Sequence, residues 1–315
     1  MKKLTLFIDN EATVFSSAGL TFSIEQLAHT FSCDISPRLI EDALSVEFKL
    51  DGQSIFSGNI DVASTETQSS GYSMQISGRS KSANMIDSRI TMDAQYNQTL
   101  DTLLNAIAKD FGLTVECLVD ASSMKTIEEF QINAESPIDN LAQLMKEQGF
   151  ILVERTGGVL TIENPAQGAI DEVVLKVGDN IASLNIDRNF AEQFYHIEVQ
   201  GQLDDAHAVV TYAPANTQRT KVIISDQLHS NDACQSRAEY ERDLAIAKGL
   251  SVSTSLDDLF IELTCSAINR TIRVIDTNQG FNETLLVKGL TLSVNDSQTQ
   301  TKLDLFRAFK EVTNV

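Results

Sequence analysis

At 315 residues the chain is long enough for two or three domains, and its 42% hydrophobic and 22% charged content describes a folded globular protein, not a disordered one. A formal charge of −20 at pH 7 argues against a protein that grips nucleic acid or anionic membrane through its overall field. The complete lack of Trp, with only four Pro, argues against Trp-lined or polyproline-binding grooves.

The N-terminus, MKKLTLFIDNE, has no apolar run long enough for a secretory signal. No stretch approaches the roughly 20 apolar residues that span a bilayer. Folding in a cytoplasm without membrane insertion is expected. Cys33, Cys117, Cys234 and Cys265 are scattered, with no C-x-x-C pair, so they read as free thiols in core positions, not as a zinc site or a disulfide framework.

Residues 1–95 read as β-rich. Leu4, Leu6 and Ile8 alternate, Thr21–Ile24 and Ser32–Ile35 are short strand candidates, and Leu44–Leu50 puts Leu44, Val46, Phe48 and Leu50 on one face. Asp51-Gly52 marks a hairpin turn of the kind that needs positive φ, with Ser54–Val62 returning. Ala63–Gly71, small and polar, reads as a second turn. Tyr72, Met74 and Ile76 then alternate up to Gly78, where a missing Cβ allows a turn or a close backbone approach. Ser80 or Ser82 can cap a short helix carrying Ala83, Met85 and Ile86.

From residue 96 the period changes. Leu100, Leu103, Leu104, Ile107 and Phe111 recur at helical spacing and Gly112 follows at the C′ position. A strand over Leu113–Val119 comes next. Ser136-Pro137 opens a second helix, with Ile138, Leu141, Leu144 and Met145 on its apolar face and Gly149 stopping it. Phe150–Glu154 and Val159–Ile162 form a hairpin across Gly157-Gly158. This is a small α/β domain over residues 96–168, closed by the break NPAQGAI.

β character returns over residues 169–315. Strands are expected at Ile181–Ile186, Phe194–Gln202, Val209–Tyr212, Val222–Ser225, Phe260–Thr264, Thr271–Ile275, Glu283–Val294 and Thr301–Phe306. A weakly amphipathic helix is expected at 234–249.

The block GYSMQISGRSKSANMIDSRI, a strand running into Gly-Arg-x-Lys-x-x-x-Met-Ile-Asp, resembles the hub proteins of contractile-tail baseplates, specifically the Mu-like hub family. Gly78, Arg79, Lys81, Met85, Ile86 and Asp87 carry that match. The segments VEFKLDGQSIFSGNIDV, SPIDNLAQLMKEQGFILVERTGGVLTIENP and RVIDTNQGFNETLLVKGLTLSVNDSQTQTKLDL are similar to the same family's first barrel, inserted domain and last barrel strands. The resemblance implies an α+β, mainly β fold: a tail-tube-like β-barrel over 1–95, the small α/β domain over 96–168, and a second such barrel over 169–315. It further implies a homotrimeric ring in a virion tail baseplate, joining the tail tube or adjacent baseplate proteins to a trimeric spike protein, with DNA passing through without specific binding. Gly78, Arg79, Lys81 and Asp87 are then expected to act structurally, shaping the turn from barrel to insertion, with Arg79 or Lys81 in an ion pair with Asp87 or a neighbouring subunit.

No chemistry competes with this reading. The chain has no Walker loop, G-x-G-x-x-G, H-E-x-x-H or G-x-S-x-G, so no cofactor, metal or catalytic residue is expected. Asp204, Asp205 and His207 lie close in sequence, but a loop there fixes no coordination geometry. His29, His196 and His229 have no partner spacing. Asp257-Asp258 reads as a cap or strand-edge charge, and Glu25, Glu128 and Glu129 read as solvated surface acids without a paired carboxylate. The alternatives are a tail-borne cell-wall hydrolase, opposed by that missing pair, and the hub of a related contractile secretion or bacteriocin machine. A carbohydrate-binding module is opposed by the lack of Trp.

Overall fold

The computed structural model describes residues 2–69, 71–191, 193–202, 206–225 and 228–307. The chain starts with β1 (Leu4–Ile8) and β2 (Glu11–Thr13), joined across Asp9 and Asn10, both at positive φ. Next come β3 (Phe15–Ser23), β4 (Thr30–Ile35), β5 (Ser45–Leu50), β6 (Gln53–Gln68) and β7 (Gly71–Ser80). The β5–β6 hairpin turns at Asp51-Gly52, with φ of 49° and 86°, the geometry for which Asp-Gly is suited. One-sided alternation buries Val46, Phe48 and Leu50.

A short helix α1 (Ala83–Asp87) leads into β8 (Ile90–Gln98), α2 (Leu100–Asp110), β9 (Thr114–Cys117), β10 (Ile127–Glu135), α3 (Pro137–Gln148), β11 (Ile151–Arg155) and β12 (Val159–Glu163). The chain then runs through β13 (Ala169–Lys176), β14 (Leu184–Arg188), β15 (His196–Gln200), β16 (His207–Thr211), β17 (Thr220–Ile224) and α4 (Asn231–Lys248). It finishes with β18 (Leu250–Leu256), β19 (Thr271–Asp276), β20 (Phe281–Val294) and β21 (Thr299–Phe306).

Three apolar cores organise these elements. The largest lies on a thirteen-stranded sheet ordered β14-β18-β21-β20-β3-β4-β7-β6-β5-β1-β2, with β19 beside β20 and β13 beside β19. Strands from both ends of the chain therefore share one sheet, and no sheet is closed among the described residues. The seam is β20. Its first half, Phe281–Leu286, pairs with β19, a bulge follows between Val287 and Gly289, and Gly289–Val294 then pairs with β3. A bulge re-aims a strand, and here it hands one edge of β20 from one neighbour to the next.

The second core belongs to the insertion. Leu100, Leu103, Leu104 and Ile107 of α2 meet Leu141 and Met145 of α3, against the β9-β12-β11 sheet and the β8-β10 pair. Gly112 and Gly149 both end their helices at positive φ, where a Cβ would strain the backbone. The third core is smaller: α4 covers one face of the β16-β15-β17 sheet through Cys234 and Ala238.

Several elements depart from the periodicity. Ala63–Gly71 is not a turn, because β6 continues to Gln68 and β7 begins at Gly71. Its Ser and Thr residues are exposed on both faces, so they show no alternation although they are good strand formers. Phe260–Thr264 is a sequence of turns, not a strand, burying Leu263 and bonding Leu263 N–H to the Phe260 carbonyl at 3.0 Å. β8, β10, β13 and β18 stand where no strand was expected. Helix α4 begins at Asn231, not 234, because the Ser230 hydroxyl accepts the Ala233 N–H at 3.2 Å and caps it there.

Candidate functional site

The stretch from Gly78 to Asp87 sits where the large sheet meets the insertion. Gly78 lies inside β7, not at its end, and a Cβ there would fall 2.0 Å from the Asn59 carbonyl oxygen of β6 and 2.8 Å from the Phe31 ring. Phe31 packs on Phe48 and Phe56 with ring centroids 5.6 and 5.5 Å away, so the glycine lets the two strands close over an aromatic cluster. Arg79 donates from Nε to Asp61 at 2.7 Å, and from Nη1 and Nη2 to the two oxygens of Asp87 at 3.1 and 2.6 Å. This fork ties β7 to β6 and to the end of α1. Hydrogen bonds given to Asp87 and Asp61 raise the Arg79 pKa, and Arg79 holds Asp87 below the usual carboxylate range. Lys81 donates to the Gly157 carbonyl at 3.1 Å, reaching the hairpin turn of the insertion.

Ser82 stands at the N-cap of α1, but its side chain makes no capping hydrogen bond to the helix. Its hydroxyl and its N–H are both given to Glu154 of β11, and Ser80 donates to the same carboxylate oxygen at 2.5 Å. Glu154 is 2% exposed, and burial pushes its pKa up against the opposing pull of the serine hydrogen bonds. His29 closes the network: its N–H donates to Ser80 Oγ at 2.8 Å, and its Nε2 donates to the Glu154 carbonyl at 2.8 Å. That bond requires the neutral ring protonated on Nε2, and burial lowers the His29 pKa to about 4.

The next residue on β11, Arg155, points the other way. It donates to the Cys265 and Ile268 carbonyls at 2.5 and 3.1 Å and to Glu163 at 2.6 Å. Glu163 has no exposed surface and also receives Arg270 at 2.6 Å and Asn269 at 2.9 Å. Burial pushes the Glu163 pKa up, but Arg270 and Arg155 together outweigh it and hold the carboxyl below its usual range. Two consecutive residues thus fasten the insertion to segments from both halves of the chain, His29 and Ser80–Ser82 on one side and Cys265–Ile268 on the other. The four motif residues lie within ten residues of sequence and all sit at this junction. His29, Ser80, Ser82, Glu154, Arg155, Glu163 and Arg270 are bonded to one another across the junction, at separations that no local pattern announces.

Elsewhere the carboxylates and histidines are locally engaged. Glu25 pairs with Lys288 at 3.1 Å, Glu129 accepts from Tyr96 at 3.3 Å, and Asp258 accepts the Leu259 N–H at 2.9 Å. His207 lies 3.2 Å from Glu198, and His196 lies 3.6 Å from the same carboxylate. Asp204 and Asp205 fall outside the described residues. Among the described residues no group of three or more His, Cys, Asp or Glu is arranged to hold a metal ion, and no helix is long and apolar enough to cross a membrane. Clefts of about 80 and 110 Å³ lie beside α4, away from the junction.

No family model matches the chain. The baseplate hub protein of Escherichia phage Mu is 25% identical over 90% of this chain and 82% of its own length. A solved prophage MuSo2 tail protein from Shewanella oneidensis superposes with a TM-score of 0.86 at 21% identity, over 98% of each chain. A component of the Escherichia coli type VI secretion system superposes at 0.64 and 11% identity, over 97% of this chain and 77% of that one. The fold is thus that of phage-tail and secretion-spike proteins, built mainly of β-strands. Taken with the sequence likeness, this makes the chain a homologue of the Mu baseplate hub protein, with a structural role in a tail baseplate.

Proposed function

We propose that the chain is the hub subunit of a Mu-like contractile tail, acting without enzymatic activity as a homotrimeric ring between the tail tube and a trimeric spike. The observation that carries this reading is 25% sequence identity to a baseplate hub protein over 90% of the chain, matched by a TM-score of 0.86 to a prophage MuSo2 tail protein. The large sheet supports it. Residues 1–95 and 169–315 each contribute a strand set, and in the ring each set forms a barrel-like half, so that three copies present six such halves to the tube. The insertion over 96–168 is held between them by Glu154 and Arg155. DNA passes through the ring without specific binding, in keeping with a formal charge of −20. The block Gly78, Arg79, Lys81 and Asp87 serves to fix the insertion, not to bind a ligand. The working location is the virion baseplate.

The absolute mass of the purified protein, by light scattering behind a sizing column, tests the ring. About three times the 34.6 kDa chain is expected, and mixing with a trimeric spike protein should shift that peak to a larger complex. A monomer at all concentrations that also ignores the spike would overturn the hub reading. Release of fragments from purified peptidoglycan would overturn its non-enzymatic part.

A further inference from the structure

Taking the homotrimer reading above as given, we propose that the free end of the β6–β7 ribbon, residues 61–73, is the segment by which one copy of this chain docks on the next. The strand β5 accompanies β6 only as far as the Ser45–Asn59 pair, while β6 runs on to Gln68. Among the described residues no strand therefore lies along Asp61–Gln68 on the edge of β6 that faces away from β7. On the other side β4 leaves β7 at the Ile35–Met74 pair, so Gly71–Ser73 also present an open edge. Every side chain described from Asp61 to Ser73 is exposed, including Val62 at 54% and Tyr72 at 66%. A bare two-stranded ribbon is marginal in water, and an open edge offers unpaired N–H and C=O groups to another chain. The usual guards of such an edge are missing: Val62–Ser73, VASTETQSSGYS, holds no Pro, Lys or Arg.

The occupant is a second copy on grounds of charge and reach. Like copies of formal charge −20 repel across most of their surface, yet Asp61–Ser73 carries only two carboxylates, Asp61, which is paired with Arg79, and Glu66. It is the part of the molecule that another copy approaches at the least electrostatic cost. Its eight β6 residues extend about 25 Å, enough to lie along a neighbour's strand. The large sheet ends in β2, β14 and β13, and β13, with eight residues and β19 as its partner, is the longest acceptor. A ribbon placed on a different surface of the next copy makes a head-to-tail contact, which is the kind that closes a ring.

Light scattering on two variants tests this. In the first, Glu66–Ser73 is replaced by Asn-Gly, which joins Thr65 to Met74, its cross-strand partner, and removes no side chain described as buried. The second is Val62→Asp with Tyr72→Asp, which adds charge at exposed positions and keeps the ribbon. Circular dichroism and melting temperature should match wild type for both. Wild type is expected to run as a trimer, and both variants as monomers at the same concentration, with association at least tenfold weaker. Variants that keep the trimer mass would overturn the ribbon interface and leave the homotrimer reading standing. Variants that stay trimeric but no longer co-sediment with spike or tube protein would assign the ribbon to a different partner, which also overturns it. A monomeric wild type would remove the homotrimer reading itself. Should the shortened chain fail to fold, the double variant decides.

Discussion

Glu154 and Arg155 are adjacent in sequence and, because side chains alternate along a strand, they leave β11 in opposite directions. One meets Ser80, Ser82 and His29; the other meets Cys265, Ile268 and Glu163. Buried His29 has a clear consequence for acid stability. Its pKa falls from 6.5 to about 4 on folding, so the unfolded chain binds the extra proton between those values. Its contribution is present above pH 6.5 and is lost as pH falls toward 4, a loss of about 3 kcal/mol at most. Glu154 works in the opposite sense. With its pKa raised on folding, it favours the fold below its ordinary range and loses that contribution as pH rises through the raised value. Urea midpoints of wild type and His29→Gln, measured at pH 6.5 and pH 5, separate the two. Wild type should weaken at pH 5 and the variant should weaken less or strengthen; equal losses in both proteins would exclude His29 as the source. Glu163→Gln should be costlier than either, about 3–5 kcal/mol, since it leaves Arg155 and Arg270 buried without their counter-charge. An unchanged urea midpoint would show that the guanidinium groups find other partners.

At the scale of the element, the glycine in β7 decides how close two strands come. Gly78→Val places side-chain atoms where the Asn59 carbonyl oxygen already sits, and Gly58 has the same relation to the Arg79 carbonyl from the other strand. The valine variant should lose about 3 kcal/mol or more, because backbone cannot yield as a flexible side chain can, and the yield of soluble trimer should drop with it. Full yield and an unchanged melting temperature would mean that β6 and β7 separate without consequence. Ser230→Ala, by contrast, removes one cap from a helix of 18 residues and should cost about 1 kcal/mol, read from the same melts. The sequence shows such features when they are local. Asp51-Gly52, Gly112, Gly149 and the Leu44–Leu50 alternation are legible because the neighbours that matter are a few residues away. The Gly78–Asp87 block is legible for the same reason, with Arg79 and Asp87 eight residues apart. The Glu154 network is not, since His29 lies 125 residues from it. Nor is the long β6, whose exposed Ser and Thr residues carry no alternation. Phe260–Thr264 misleads in the opposite way: an apolar run buried in turns has the composition of a strand.

For the whole molecule, the decisive feature is that the first and last segments of the chain share one sheet across β3 and β20. Local periodicity divides the β segments at the insertion, and nothing in residues 18–23 or 289–294 names the other as its partner, because pairing at that separation depends on the closure of the entire fold. The same continuity makes the insertion an elaboration on a body formed by both termini, and it leaves the outer surface to govern assembly. That surface is strongly acidic, with a formal charge of −20 on 315 residues. An oligomer held by ion pairs weakens as salt screens them, whereas one whose copies meet through a nearly uncharged segment gains, because salt screens the repulsion between the remaining surfaces. The screening length falls from about 30 Å at 0.01 M to about 10 Å at 0.1 M ionic strength. Trimer formation through residues 61–73 should therefore tighten as sodium chloride rises over that range, by several-fold in the concentration at which half the chains are assembled. Light scattering across a dilution series at each salt concentration measures it. A trimer that loosens with salt would point instead to charged contacts, and the ribbon could then not be the main interface.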